Sequence, residues 1–218
     1  MYHLSTRALI VALIAFLPVL AFACGDDDSS STPTAAVSST VSTAAPSSAT
    51  ASQSGTAAPS AAAPEFKLIS SAFAANGEIP TENTCDGKGV SPSLTWVGIP
   101  DGTTAYALIV NDPDAKRTGG FTHWVVYDLP GATTYLDGGV SPDGKLPPGA
   151  KEGQNSSGDN GYAPPCPPAG EAAHHYNFTL YALDGPLNLE AGKSQADVEA
   201  ALKGHTRGEA KLTGMFGH

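Results

Sequence analysis

Hydrophobic residues in the last two thirds of the chain form short runs that are typical of β-strands. Residues 103–110 are nearly all apolar and β-prone, which predicts a strand that is covered on both faces. Residues 176–183 alternate between apolar and polar positions, which predicts a strand whose even-numbered side chains share one face. Further strands are predicted at residues 66–70, 91–96 and 123–129.

The clearest helix signal begins at Ser194, whose hydroxyl can cap the first turn. Asp197 follows three residues later and can reach back to the backbone amide of the cap. Val198 and Leu202 share one helical face, and Gly204 ends the pattern. Many short strands with one late helix predict a mainly β domain, built as an antiparallel sandwich with loops between its strands.

The first third of the chain has the composition of an export signal followed by a tether. Residues 1–23 contain a basic start, an apolar run at 8–20 and small residues at the end, which predicts a signal peptide. The apolar run is too short to predict a membrane-spanning helix. Residues 24–64 are an acidic start and then almost only Ser, Thr, Ala and Pro, which predicts a disordered linker. One folded domain is expected at residues 65–218.

Cys24 indicates the type of signal. The residues around it resemble the lipobox of bacterial lipoproteins, in which the cysteine becomes the lipidated N-terminus, although Ala21 stands where a leucine is usual. Lipidation of Cys24 would anchor the exported protein to the cell membrane, with the domain on the extracytoplasmic side. The alternative is ordinary cleavage near Ala23, which leaves Cys24 as a free thiol.

The charge of the chain argues against one class of partner, and its cysteines allow a disulfide. The formal net charge is −10 and the lysines and arginines are scattered singly, so no nucleic-acid partner is expected. Besides Cys24 the chain contains Cys85 and Cys166, and an exported protein allows these two to form a disulfide. Two buried free thiols are the alternative. No metal and no cofactor is predicted.

Acidic residues and histidines lie where the predicted strands meet loops. Asp112 and Asp114 occupy a proline-containing turn after residues 103–110, His123 opens the next strand and His174 opens a later one. Loops of this kind often carry binding sites, and histidines can gain charge when they bind an anion. Together these loops predict a small polar pocket for a charged head group. The alternatives are turn capping by the aspartates and a core role for His123.

Several motifs in the same order resemble the phosphatidylethanolamine-binding proteins (PEBPs), and one of them resembles the bacterial Raf-kinase-inhibitor-like branch. The matching segments are residues 84–96, 112–115, 121–127, 166–168 and 174–184. The resemblance runs from about residue 66 to the C-terminus. It implies a Greek-key-like antiparallel β-sandwich with one or two short peripheral helices.

The resemblance also implies a small pocket at one end of the sandwich, which binds phosphate-type anions or phospholipid head groups. By position, its ligand-binding residues would be Asp112, Asp114, His123, Pro165, His174 and Tyr176. Bacterial relatives usually have glycines where Ala163 and Pro164 stand here, so the rim of the pocket would be reshaped.

Three classes of function are compatible with these residues. The leading interpretation is a non-enzymatic, membrane-tethered binding protein whose partner is a small anion or a phospholipid head group. A second is an extracellular protein–protein module, such as an inhibitor, that uses the Gly- and Pro-rich loop at 138–170. A third is a hydrolase or metal site on Asp112, His123 and His174, which is disfavoured because the sequence has no G-x-S-x-G or H-E-x-x-H motif.

Overall fold

The computed structural model describes residues 64–141 and 143–218, and these contain nine β-strands, one α-helix and a 3-10 turn at Thr81–Asn83. The elements are β1 (Lys67–Ile69), β2 (Gly77–Glu78), β3 (Leu94–Val97), β4 (Ala105–Asp112), β5 (Phe121–Pro130), β6 (Tyr135–Leu136), β7 (Lys151–Glu152), β8 (His174–Leu183), α1 (Gln195–Leu202) and β9 (Thr206–Phe216). The predicted signal peptide, Cys24 and the linker up to residue 63 lie outside the described residues. Within the described ranges, no helix is long and apolar enough to cross a membrane.

The strands form two sheets. The larger sheet has the order β2-β9-β8-β4-β5-β7 and the smaller one the order β1-β3-β6. All neighbouring strands within these sheets are antiparallel except β2 and β9, which form a short parallel pair. The mainly β architecture with one short helix confirms the predicted fold class. The parallel pair is a local departure from a wholly antiparallel sandwich, and β2 contributes two residues to it.

Strand β4 is apolar along almost its whole length because both faces of the larger sheet are covered. Leu108 and Val110 belong to the core between the two sheets, which also contains Trp96 of the smaller sheet. Ala107 and Ile109 belong to a second apolar cluster, in which the larger sheet packs against α1. The predicted strand with two buried faces is therefore confirmed.

Helix α1 has the cap that its sequence predicts. The Ser194 hydroxyl accepts a hydrogen bond from the Asp197 amide, and the Asp197 carboxylate accepts one from the Ser194 amide. Val198 and Leu202 are buried on the face that packs against the larger sheet. Gly204 follows the helix with a φ of 85°, a left-handed conformation that glycine adopts without steric cost.

Strand β9, with 11 residues, is absent from the sequence predictions. Its apolar pattern is interrupted by glycines and charged residues, and the buried side chains at its C-terminal half are Ala210, Leu212 and Phe216. A Cβ atom on Gly214 would lie 2.6 Å from Cγ1 of the buried Ile79, so glycine at this position allows close packing. Pairing with β8 along its length, and not intrinsic propensity, makes this segment a strand.

The register of the central strands brings the predicted site residues to one end of the larger sheet. Asn111, near the end of β4, pairs with Thr122 at the start of β5 and with Asn177 near the start of β8. Asp112 therefore lies at the end of β4 where His123 and His174 lie at the beginnings of their strands.

Candidate functional site

A cavity of about 510 Å³ lies at this end of the larger sheet. The turn after β4, the first residues of β5 and β8, and the Pro-rich segment at 163–168 form most of its wall. Its lining contains acidic, basic, imidazole and aromatic side chains together with three prolines: Asp112, Ala115, Lys116, Phe121, His123, Ser157, Ala163, Pro164, Cys166, Pro167, Pro168, Glu171, His174 and Tyr176. Four of the six predicted ligand-binding residues are thus brought together in one wall.

The carboxylate of Asp112 makes contacts on both of its oxygens. Its Oδ1 accepts hydrogen bonds from the backbone amides of Asp114 (2.8 Å) and Ala115 (3.1 Å), which holds the turn after β4. Its Oδ2 lies 2.7 Å from Nδ1 of His174. Turn capping and a position in the cavity wall are therefore not alternatives for Asp112, because one carboxylate caps the turn and also bonds to His174.

The imidazole of His174 is held by acidic groups. With Nδ1 bonded to Asp112, the second ring nitrogen, Nε2, lies 3.5 Å from Oε2 of Glu171. Burial acts to lower the pKa of His174, but the hydrogen bond and the charge of Asp112, together with Glu171 and Asp114, outweigh burial and raise this pKa above its ordinary value. Among the histidines of the cavity, His174 is therefore the one whose surroundings favour the positively charged form.

A β-bulge orients His123. Opposite Val110 and Asn111 the register of β5 shifts by one residue, and His123 is the residue left without a partner on β4. Regular alternation would place His123 on the same face as Val125, which packs toward α1. The bulge instead places the imidazole in the cavity wall, where its ring centroid is 5.0 Å from that of Tyr176.

Two hydrogen bonds join His123 and Ala163, and the one that involves the imidazole determines which ring nitrogen carries the proton. The Ala163 amide donates to the backbone carbonyl of His123 (2.7 Å), and Nδ1 of His123 lies 2.7 Å from the Ala163 carbonyl. Since a carbonyl only accepts, Nδ1 is the donor and the neutral ring has its lone pair on Nε2. Burial lowers the pKa of His123, and the hydrogen bond to Ala163 and the charge of Asp112 oppose this only in part.

Two polar atoms of the cavity wall are buried without a hydrogen-bond partner among the described residues. They are Nε2 of His123 and the hydroxyl of Tyr176. Most buried polar atoms in folded proteins are paired, so each of these can gain a hydrogen bond from a bound molecule. Burial raises the pKa of Tyr176, so its hydroxyl remains protonated and able to donate.

Asp114 and Pro165, two of the predicted ligand-binding residues, are not in the cavity lining. Oδ2 of Asp114 accepts a hydrogen bond from the His175 amide and lies 2.7 Å from Nδ1 of His175. The hydrogen bond from this amide is the main cause of a lowered pKa of Asp114. The carbonyl of Pro165 accepts a hydrogen bond from the Cys85 amide at 3.0 Å. Both residues hold neighbouring segments in place.

A disulfide between Cys85 and Cys166 fastens the Pro-rich segment to the loop after the 3-10 turn. Their sequence separation is 81, for which the chain-entropy model gives a stabilisation of about 4–5 kcal/mol. Cys166 itself lines the cavity, as do Ala163 and Pro164. The bond therefore stabilises one wall of the site as well as the fold.

Lys116 and Glu171 line the cavity but are absent from the sequence predictions. Lys116 Nζ lies 2.6 Å from Glu171 Oε1, and this hydrogen bond lowers the pKa of Glu171. The sequence contained a weak signal for each. Lys116 lies two residues after Asp114 in the same turn, and Glu171 precedes His174 by three residues.

One group of three potential metal ligands occurs in the described part of the chain, formed by Cys85, Cys166 and His218. The two sulfur atoms are joined in the disulfide, whereas metal binding by cysteine uses the free thiolate. In this oxidised form the group offers a metal only the imidazole of His218.

Relatives of known sequence match the same part of the chain. A UPF0098 protein of Methanothermobacter thermautotrophicus is 47% identical over 149 residues, which cover 68% of this chain and 97% of the relative. A Mycobacterium tuberculosis protein named "Putative lipoprotein LppC" is 40% identical over 156 residues, which cover 71% of this chain and 74% of the relative.

The fold also matches a solved structure. The crystal structure of Escherichia coli YbcL, described as a member of the mammalian PEBP family, superposes with a TM-score of 0.68 and 35% identity and covers 71% of this chain and 99% of YbcL. The family model for phosphatidylethanolamine-binding proteins matches residues 69–217. The chain therefore belongs to the phosphatidylethanolamine-binding protein family.

Proposed function

We propose that this protein is an exported, membrane-tethered binding protein whose cavity takes a phosphate-type anion, either free or as the head group of a phospholipid. The observation that carries the proposal is the pair of buried polar atoms, His123 Nε2 and the Tyr176 hydroxyl, that have no hydrogen-bond partner within the described residues. A ligand that bonds to both removes a desolvation cost from the protein. The positively charged form of His174 lies in the same wall.

The two histidines offer complementary contacts to a partly protonated phosphate. The charged imidazole of His174 can donate from Nε2 to an anionic oxygen, since Nδ1 is bonded to Asp112. The neutral imidazole of His123 can accept from a protonated oxygen through Nε2, and the Tyr176 hydroxyl can donate. A phosphate with both P–O⁻ and P–OH groups would satisfy all three. In a phosphodiester head group, which has no P–OH, the N–H of an ammonium group would donate to His123 Nε2 instead.

The cavity also has room for the organic part of a head group. Its volume of about 510 Å³ exceeds what one phosphate group fills, and Phe121 with Pro164, Pro167 and Pro168 adds apolar surface to the lining. This combination of a polar end and an apolar wall supports a phosphorylated organic ligand as well as the free ion.

Binding without turnover is the function that we propose. A hydrolytic triad needs a nucleophile within hydrogen-bond reach of the catalytic imidazole. Here Nδ1 of His174 is bonded to Asp112, and among the described residues its Nε2 is near the Glu171 carboxylate. We expect hydrolysis of a phosphate monoester such as p-nitrophenyl phosphate to remain at the buffer background.

The tether is proposed from the N-terminal sequence and one relative. Cys24 lies in a lipobox-like segment, and residues 25–64 have the composition of a flexible linker. The M. tuberculosis relative carries the name of a lipoprotein. Replacement of Cys24 by Ser should move the protein from the membrane fraction to the soluble fraction, and a distribution identical to that of the unmodified chain would contradict lipidation at Cys24.

Calorimetric titration of the full-length chain tests the ligand class. Inorganic phosphate, phosphoethanolamine and a short-chain phosphatidylethanolamine would be titrated separately in one detergent buffer, so that a free anion and a lipid head group are distinguished. His123→Ala and His174→Ala should each weaken binding by about 10- to 100-fold, because each removes a hydrogen bond that involves a charged group. The matched control is His205→Ala, since His205 is paired with Asp184 and does not line the cavity.

The outcomes separate the proposal from its alternatives. Binding that is lost in both cavity variants but retained in His205→Ala supports the assignment and ranks the three ligands. Equal binding by all four proteins places the ligand elsewhere. No heat with any ligand, from a protein that unfolds cooperatively on heating, contradicts anion binding and favours the protein–protein interpretation.

A further inference from the structure

Glu171 contacts both cationic groups that line the cavity. Its Oε1 lies 2.6 Å from Lys116 Nζ, and its Oε2 lies 3.5 Å from His174 Nε2. The carboxylate therefore spans the space between a lysine on the turn after β4 and a histidine at the start of β8. The Lys116 side chain is 78% exposed and that of Glu171 is 26% exposed, whereas that of His174 is 8% exposed. Glu171 therefore lies between an exposed lysine and a buried histidine.

The atom of His174 that Glu171 approaches is the atom that an incoming anion needs. Asp112 occupies Nδ1, so Nε2 is the remaining donor of the charged imidazole. An oxyanion bound at Nε2 and the Glu171 carboxylate at its present position would be two like charges competing for one donor. Such an arrangement is unfavourable unless one of them leaves.

We propose that Glu171 is an internal anion that occupies the ligand position on His174 and Lys116 and must be displaced when an external oxyanion binds. This inference rests on the proposed function, because it concerns the same cavity. It assigns to Glu171 the role of an internal competitor that sets the affinity of the cavity, since any anionic ligand has to compete with a carboxylate that is already in place.

The energies of these contacts are consistent with displacement. An ion pair at the surface such as Lys116–Glu171 is weak because water competes for both charges, and the distance of 3.5 Å to His174 is at the long end for a hydrogen bond. Glu171 lies outside the strands, in the segment between the Pro-rich rim and β8. Its side chain can therefore rotate toward solvent without breaking the pairing of β8 with its neighbours.

Displacement would also change the partner of Lys116. Once the carboxylate leaves, the ammonium group loses its counter-ion and lies at the cavity wall next to the bound anion. The ligand would then contact Lys116 Nζ and His174 Nε2 in place of Glu171. The apparent affinity of the unmodified protein equals the intrinsic affinity multiplied by the fraction of molecules in which Glu171 has left the site, so it is lower the more often Glu171 is in place.

The test is phosphate titration of Glu171→Gln in the full-length chain at about pH 6, so that His174 stays charged although Glu171, which helps to raise its pKa, is neutralised. Glutamine keeps the size of the side chain and removes its charge, so we expect phosphate to bind about 3- to 10-fold more tightly than to the unmodified chain. Glu209→Gln is the matched control because it removes the same charge from β9, opposite Tyr181 and away from the cavity. It should leave the affinity unchanged. Adding Lys116→Met to Glu171→Gln should reverse part of the gain.

Each outcome decides the inference. Tighter binding by Glu171→Gln but not by Glu209→Gln supports displacement, including the case in which only Glu171→Gln binds measurably. Equal or weaker binding by Glu171→Gln, with phosphate still bound by the unmodified chain, overturns the role of Glu171 and leaves the proposed function intact. Absence of phosphate binding by all of these proteins overturns both.

Discussion

Nδ1 of His174 lies 2.7 Å from Oδ2 of Asp112, and the two residues are 62 positions apart in the sequence. The same aspartate caps the turn after β4 through its other oxygen. The conformation of that turn and the charge of the imidazole are therefore coupled through one carboxylate. This coupling explains why an acidic residue is useful in a cavity that we propose to bind anions.

Asp112→Asn should separate these two roles. The amide oxygen can still cap the turn, but the negative charge that favours the protonated imidazole is lost, so the pKa of His174 should fall. We expect phosphate affinity to decrease by about 10-fold, the loss that corresponds to one charge-assisted hydrogen bond. Nuclear magnetic resonance titration of the imidazole and calorimetry measure the two effects. An unchanged pKa of His174 would contradict the coupling.

Anion binding should depend on pH through His174. Sulfate is a suitable probe because it keeps its charge across the neutral range. Since its pKa is raised, His174 should be charged at about pH 6 and lose its charge as the pH rises through that pKa, so sulfate should bind more tightly at about pH 6 than at about pH 8.5. His174→Gln should bind weakly with little dependence on pH. Tighter binding at the higher pH would refute the assignment, given the acidic neighbours Asp112, Asp114 and Glu171.

His174 and His123 should make the stability of the fold depend on pH in opposite directions. The folded-state pKa of His174 lies above the unfolded value of 6.5, so its stabilisation is complete below about pH 6.5 and is lost as the pH rises through the folded-state pKa. That of His123 lies below 6.5, so stability is lost as the pH falls below this value. Urea unfolding on both sides of pH 6.5 measures this. Compared with the unmodified chain, His174→Gln should lose less free energy of unfolding at high pH, and His123→Gln should lose less at low pH. Changes of the same sign in both variants would contradict these shifts.

Removal of the disulfide should lower both stability and affinity. In the double variant Cys85→Ser, Cys166→Ser, the free energy of unfolding should fall by about 4–5 kcal/mol according to the chain-entropy model. Phosphate affinity should fall as well, because Cys166 and the adjacent prolines form one wall of the cavity. Urea unfolding and calorimetry measure the two quantities. Unchanged affinity in a folded double variant would show that the rim keeps its conformation without the bond.

Gly214→Ala should destabilise the protein by overpacking. The new methyl group would lie 2.6 Å from Cγ1 of Ile79 and 2.8 Å from Cε2 of Phe73, and both side chains are buried. We expect a loss of about 1–3 kcal/mol in the free energy of unfolding. The control is Gly185→Ala, where no atom lies within 4 Å of the added Cβ. Equal stabilities of the two variants would contradict the close packing of β9.

The helix and the central strands could be predicted because their signals are local. The cap of α1 depends on Ser194 and Asp197, which are three residues apart, and the structure contains that cap. The continuous apolar run of β4 predicts burial on both faces, which the two core clusters confirm. Strand β9 could not be predicted in this way, since its pairing with β8 is non-local and Gly214 is favourable only because Ile79 lies against it.

The residue types of the cavity could be proposed from the sequence because polar and imidazole side chains in loops between apolar strands are typical of binding sites. The arrangement of these side chains could not be predicted from the sequence. The face on which His123 lies depends on a bulge opposite β4, and a regular two-residue period gives the opposite face. The lining positions of Lys116 and Glu171 depend on how two separate loops approach each other.

By itself, the sequence determined the strand-rich fold, the capped helix and the family, since these follow from local periodicity and from motifs in a fixed order. The tertiary structure alone decided which atoms of the site are already engaged. Asp112 is bonded on both oxygens, His123 retains a buried and unpartnered Nε2 among the described residues, and Glu171 lies at the free nitrogen of His174. Hydrogen bonds between residues far apart in the chain depend on distances of a few tenths of an ångström, which no sequence pattern encodes.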